Sequence, residues 1–523
     1  MGASSSGQQG PEPSAANLAA SRSIRRRVGG APAEEDTDAS VDLPLLQSLK
    51  KHWGQGILSA KQVQEYAWVA SKHGVVGMGA AAAAGSSGKH AQNIHRSLVA
   101  LFGRPKGSPE ISWYEVPTAK GTRMHPFMLP HHWFSSLYSD LPEQFASAVQ
   151  GSDEAACLAF WTMMAGTDFF QQHPHLPRKH LSKTIPLGLY GDAGSFSHQE
   201  SLYIFTWNSL LGVGQSKAKR FLATCIRKSD LTAGTFDTIF RILAWSFNVL
   251  LTGVTPEADW RSTPLRGGGA YLADGLRGCL AQVRGDWEFY CSIFSFPRWN
   301  EAVSMCWLCD ASSDDPLSFS NCADDAPWRA TKHTHDTYVA KLQLAGKDLP
   351  TLFEHVVGLR LECVMVDVLH CLDQGFALHV IGNVFDQCLA AGVFCAGGRD
   401  ANIPALDAAL RKWYKGNKVQ SQIKGKLTKE RIRSTNGWPK LKCKAAAARH
   451  SAPFALLHAQ QQLGRRVVAM CQLLCEFYLL IDTQGLFLDE AAKTRLPSLG
   501  RRLCGLYAQE ANEAFWADVE HGR

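Results

Sequence analysis

Residues 185–192 (IPLGLYGD) form a short apolar run held between Pro186 and Gly191, and the run ends on an acid. A run this short, closed by turn residues, predicts a buried strand rather than a helix. Its last residue, Asp192, would stand beside a core and still reach a ligand, although the plainest role for it is to cap the turn. Downstream, 202–211 and 221–226 read as further strands, 236–251 as a long apolar helix, and 279–284 as a short strand followed by Gly285 and Asp286. Upstream, 43–53, 59–72 and 154–164 carry helical spacing. The stretch 79–88 reads as an Ala/Gly/Ser linker, and 168–183 as a polar connector rich in His and Pro. At 364–389 another long apolar helix is expected, with Asp367 and His370 on one side of it at i, i+3.

Three strands, a helix, then a strand, with acids closing the first and fourth strands, is the layout of a ribonuclease H-like core. The expected class is therefore mixed α+β or α/β, with a large, mostly helical insertion and a helical N-terminal region. In that layout the first and fourth strands lie side by side, so Asp192 and Asp286 would meet. Two carboxylates forced together either share a proton or bind a cation. Oxygen-only ligands favour magnesium or manganese, and such ions can activate a water or a 3′-hydroxyl against a phosphodiester. Asp274 is a rival for the second acid, but it sits in a turn-like Ala-Asp-Gly. The expected division is a disordered tail at 1–40, a small helical region at 41–150 and the first part of the core at 151–300. An inserted helical region at 301–410, a basic segment at 411–440 and closing helices at 441–523 follow.

Composition narrows the classes. The 523 residues are 45% hydrophobic and 19% charged, enough for packed cores in several domains. A formal charge of +7 permits a polyanionic partner without demanding one. The fifteen cysteines are scattered through apolar segments, and 1–13 lack an apolar leader, so a reducing compartment is expected. No membrane span is expected: 236–254 is interrupted by Asp237, Arg241 and Asn248, and 467–481 is short and contains Glu476. Arg25, Arg26 and Arg27 read as a solvated basic patch or part of a nuclear address. The phosphate-loop echo ending at Lys89 and His90 fails, with Ala83 at the first glycine position and His90 in place of Ser or Thr. Ser195, Ser197 and His198 lie too close in sequence for a triad.

Two further constellations carry chemistry. Cys306-x-x-Cys309 has half of a zinc site's spacing, with His333, His335, His370, His379 and Cys322 as candidate partners; two thiols without metal is the equal alternative. The densest cationic stretch contains Arg411, Lys412, Lys415, Lys418, Lys424, Lys426, Lys429, Arg431 and Arg433, with Trp413 and Tyr414 interleaved and Glu430 the one acid. Such a segment can neutralise phosphates and stack on an exposed base, or simply be a solvated face.

Taken in order, Ile185–Asp192, Gly285-Asp286, Cys306-x-x-Cys309 and Asp367-x-x-His370 with Gly375 resemble the motifs of the CACTA-type (En/Spm-like) DDE transposases. A weaker echo runs from Trp438 through Lys444 and Ala445–Ala448 to Arg449, and the resemblance spans about 170–470. It implies a nuclear, cut-and-paste transposase core acting on DNA. Asp192 and Asp286 would be the first two magnesium- or manganese-binding acids, and Cys306 and Cys309 would help hold the inserted region through zinc. The position resembling the third acid is Ala447, so Glu430 or Glu476 would have to serve, or the site has lost a ligand. A catalytically inactive, transposon-derived DNA-binding protein is the alternative, and self-association into a homo-oligomer stays open.

Overall fold

The computed structural model describes residues 44–520 apart from 55–57, 88–90, 104–106, 152, 198 and 434–437. The expectations for 1–40, for Arg25–Arg27, for Lys89 and His90 and for His198 lie outside the described residues. The chain divides into two compact units, 1–105 and 106–523.

In the first unit, helices α1 (Pro44–Gly54), α2 (Ala60–Lys72) and α3 (Ile94–Phe102) gather Leu49, Trp53, Val63, Ala67, Met78 and Leu98 into one small core. Ser59 starts α2 with a reciprocal capping box: its hydroxyl accepts from the Gln62 amide, and the Gln62 side chain accepts from the Ser59 amide.

The second unit opens on a hairpin, β1 (Ser112–Val116) and β2 (Arg123–Phe127), inside the stretch expected to be helical. Its alternation lasts only five residues, and apolar side chains occupy both faces. Tyr114 turns in against Phe127, Trp245 and Trp260, while Trp113 and Met124 face out. So short a period-two signal is easily lost.

The central sheet falls where the pattern places it. Strands β3 (Thr184–Ser195), β4 (Ser201–Ser209), β5 (Phe221–Arg227) and β6 (Arg277–Gly285) stand in the order β5-β4-β3-β6. β3–β4 and β4–β5 are antiparallel and β3–β6 is parallel. A parallel neighbour needs a crossover, and helix α4 (Thr235–Thr252) lies between β5 and β6 in sequence. Its inward residues, among them Ile239, Phe240, Leu243, Phe247 and Leu250, share one core with Leu187, Leu189 and Phe205 of the sheet. Beyond β6, Val364 makes a parallel bridge to Val283, and the Met365 amide donates to the Val283 carbonyl at 3.0 Å.

Residues 301–363, within the 301–410 region expected to be mostly helical, are largely turns with short helices, and they pack Trp307, Tyr338 and Leu352 onto the sheet core. The long helices form a second core. They are α6 (Ala377–Ala390), α7 (Arg399–Gly416), α8 (Ala445–Gln462), α9 (Arg465–Thr483) and α10 (Glu490–Glu520), and they meet through Leu378, Phe385, Leu410, Tyr414, Phe454 and Leu474. Helix α5 (Trp287–Phe294) belongs to the sheet core. No helix among the described residues is long and apolar enough to cross a membrane. The fifteen cysteines are free thiols.

One buried histidine makes the fold sensitive to acid. His131 is 2% exposed, its Nδ1 lies 2.8 Å from Ser246 Oγ, and burial holds it well below the ordinary histidine range. An unfolded histidine takes up a proton near pH 6.5, whereas the folded one resists it. Stability should therefore fall as pH drops below about 6.5, by up to about 1.4 kcal/mol per pH unit for this group. Urea unfolding midpoints between pH 7.5 and 5 should show the decline, and His131→Asn should make it shallower.

Candidate functional site

The sequence Gly-Asp occurs twice, at Gly191-Asp192 inside β3, which runs on past the expected end to Ser195, and at Gly285-Asp286 where β6 gives way to α5, and packing explains the glycines. Gly191 pairs with Gly285 across the two parallel strands. A methyl group on either would overlap the ring of Phe289, which α5 lays over the strand ends. The glycines let that helix settle onto the sheet, and the next residue on each strand is an aspartate. Adjacent strands run about 4.8 Å apart, and residues in register point to the same face. Asp192 and Asp286 are thus neighbours although 94 positions separate them.

Each acid is held by a local donor. Asp192 Oδ2 accepts from the Tyr190 hydroxyl at 2.9 Å, its neighbour on the same strand face. Asp286 caps α5, accepting from the Phe289 amide at 2.7 Å. A third acid, Asp367, is near enough for its charge to act on Asp286. Asp367 follows the bridge at Val364, and its Oδ1 accepts from the amides of Leu369 (3.0 Å) and His370 (3.2 Å) at the start of the next helix. Its Oδ2 lies 2.5 Å from His370 Nδ1.

Electrostatics ties the group together. Burial raises the Asp286 carboxyl, and the charges of Asp192 and Asp367 push it the same way against the pull of the Phe289 amide and His370. Tyr190 is pushed up to about 12 by burial and by Asp192. Among the described residues no three His, Cys, Asp or Glu side chains stand close enough to hold one metal ion. The donor set itself, oxygen-rich and mutually repelling, suits magnesium or manganese.

Two arginines lie near Tyr190. Arg220 lies over the Tyr190 ring, 4.7 Å from its centre. Arg284, half-buried on β6, crosses Gly188 of β3 to donate to Asn208 Oδ1 on β4; a side chain at Gly188 would collide with its guanidinium.

The other acids considered from sequence stand elsewhere. Glu476 is ion-paired with Arg495, and Glu430 lies exposed on a short helix, Lys429–Ile432. Ala447 is buried in the first turns of α8, where its carbonyl accepts from Ser451. Asp274 occupies a left-handed turn position outside β6. The signal for Asp367 in the sequence was its Asp-x-x-His spacing, which reads as a helix start unless the bridge to β6 is known.

The cysteine pair forms one hydrogen-bonded unit. Cys309 donates to Cys306, whose sulfur also accepts from the Leu308 amide at 3.3 Å, and these bonds bring Cys306 down to about 6. The nearby thiol that acts on Cys306 is Cys371, next to His370. Among the histidines, His333 lies closest in this network, its amide donating to the Leu308 carbonyl and its Nε2 3.3 Å from Asp310. His335 faces Phe353 and accepts from the Leu361 amide, and His379 sits on α6 with Lys440 as its nearest charge. Cys322 lies near Cys504.

The basic segment divides into arginine struts and exposed lysines, of which Lys429 reaches Asp400 at 4.0 Å. Arg411 donates to the carbonyls of Ile423 and Gly425, and Arg431 to that of Lys424, closing the loop after α7. Arg433 pairs bidentately with buried Asp386 at 2.8 and 2.6 Å. Lys412, Lys415, Lys418, Lys424, Lys426 and Lys429 are exposed, and Trp413 is half-buried against Tyr414 and Phe454. Asp386 is buried and pairs with both Arg433 and Arg399, so Asp386→Ala should cost about 1.5–3 kcal/mol in urea unfolding.

No protein-family model matches the chain, and no curated protein does.

Proposed function

We propose that this chain is a transposase-like protein that acts on DNA by metal-dependent phosphodiester hydrolysis and strand transfer, on a ribonuclease H-like core. The observation that carries the reading is the pairing of Gly191 with Gly285, which sets Asp192 beside Asp286 on neighbouring parallel strands. The order β5-β4-β3-β6, with a helix between β5 and β6, supports the fold assignment. Asp367, whose charge acts on Asp286, is the candidate third acid in this reading, in place of Glu430 and Glu476.

In this reading Asp192, Asp286 and Asp367 hold magnesium or manganese. The metal, when bound, activates the attacking water or 3′-hydroxyl and steadies the leaving oxygen. The chain's own residues do the rest. His370 fixes the orientation of Asp367, and Tyr190 that of Asp192. Arg220, over the Tyr190 ring, is the cation offered to a phosphodiester near Asp192. Lys412, Lys415, Lys424, Lys426 and Lys429 follow the DNA backbone, with a salt-sensitive contribution. Cys306 and Cys309, with Cys371 near, form a thiolate pair suited to zinc. The CACTA-type resemblance adds nuclear placement, and self-association would bring two DNA ends together.

A second reading, a DNA-binding protein that no longer cuts, is favoured by the carboxylates each facing a protein donor and by Ala447. The full chain, incubated with a DNA duplex and magnesium or manganese, separates the two. Nicking or strand joining lost in Asp192→Asn supports the first. Salt-dependent binding without cleavage selects the second, and no binding at low salt rejects both.

A further inference from the structure

A cavity of about 470 Å³ opens between the C-terminal end of α7 and the helices α8 and α9. That is the size of a small-ligand site, too small for a duplex and large enough for one nucleotide. Its walls include Trp413, Lys418, Arg449, His450, Tyr478 and Asp482. Arg449 lies flat over the Tyr478 ring at 4.8 Å and is ion-paired with Asp482. Trp413 presents a second aromatic surface, braced from behind by Phe454 at 5.9 Å. Aromatic walls suit any base, and lysine and histidine at the rim suit its phosphate.

Lys418 gives an independent sign. It holds a left-handed conformation, φ 51°, where the chain turns out of α7. Glycine is the residue suited to such a turn, and a lysine there is strained. Strain of this kind is retained where the side chain has a task.

We propose that this cavity holds a single unpaired nucleotide of the DNA strand being processed, its base against Trp413 and its phosphate beside Lys418. The proposal rests on the DNA reading above and adds a preference for duplexes with an unpaired end.

The test uses the full chain and two probes. One is a duplex ending in a single unpaired 3′ 2-aminopurine, and the other carries the same base paired internally. Binding should quench the unpaired probe at least about threefold by stacking and leave the paired one nearly unchanged. Trp413→Leu should abolish the quench. Lys418→Gly, which relieves backbone strain, should raise the melting temperature yet weaken binding of the unpaired-end duplex about tenfold relative to a blunt one. If Trp413→Leu does not fold, Lys418→Gly decides alone. Equal quenching of both probes, or an end preference unchanged in Lys418→Gly, overturns the proposal while leaving DNA binding intact. Displacement of the tethered base by micromolar deoxyadenosine monophosphate would also overturn it, making a free nucleotide the ligand. Failure to bind either duplex at low salt instead rejects the DNA reading on which it rests.

Discussion

On the transposase reading proposed above, Asp286→Asn should abolish metal-dependent DNA cleavage, by at least about a thousandfold, and at the same time make the protein slightly more stable at neutral pH. The two effects have one cause. Asp286 sits beside Asp192 and Asp367 in a half-buried setting, and burial together with like charge opposes its ionisation. A metal needs that charge, and the fold is strained by it. Asparagine keeps the shape and can still accept the Phe289 amide that Asp286 now caps. The loss of activity should match that of Asp192→Asn and Asp367→Asn, because groups acting as one unit do not add.

The stability gain has a defined sign and window. An unfolded aspartate loses its proton near pH 3.9, while folded Asp286 keeps it to higher pH. The parent should therefore lose stability as pH rises from about 4 through the folded value, and the loss is complete above it. Asp286→Asn should remove that loss, gaining a few tenths to about 1 kcal/mol at pH 7 after solvent screening, and nothing below about pH 4. Urea unfolding at pH 4 and pH 7 checks it. A variant less stable than the parent at pH 7 would mean that the carboxylate is needed for the fold.

Gly285→Val should be the most damaging single change to the fold, costing about 3 kcal/mol or more. The reason is the Phe289 ring, which rests against Gly191 and Gly285 together, with the Gly191 carbonyl 2.7 Å from where a side chain would begin. Valine there must lift α5 away from the strand ends or push β3 from β6. Either movement carries Asp286 out of register with Asp192, so cleavage should fall with stability. Gly191→Val should act alike. Gly194→Ala is the control: no atom lies within 4 Å of the added methyl, and it should change stability by less than about 0.5 kcal/mol. If Gly285→Val unfolded no more readily than Gly194→Ala, the close packing described for α5 would be wrong.

Much of this arrangement is legible along the chain. The runs at 185–192, 202–211, 221–226 and 279–284, and the helix at 236–251, are found as β3, β4, β5, β6 and α4. Each is long enough, and buried enough on its inner side, for its period to survive reading in isolation. The pairing of Asp192 with Asp286 follows from the order of those elements, because a parallel fourth strand reached by a helix has few places to go. The hairpin at 112–127 was missed because five residues with apolar groups on both faces carry almost no period.

The chain alone places the four strands of the central sheet and the helix at 236–251, and it marks two aspartates that each follow a glycine, because local periodicity records which side of a long segment is buried. It leaves open which distant groups meet. Asp367 joins the acids only because Val364 bridges to Val283, and Cys371 reaches Cys306 only through the same return of the chain. Arg411, Arg431 and Arg433 look like free cations in the sequence. Folding turns them into struts, since a guanidinium that can reach carbonyls or a buried carboxylate gives up water for them. Such partnerships depend on the path of the backbone between residues far apart in number, and no pattern confined to one segment encodes that path.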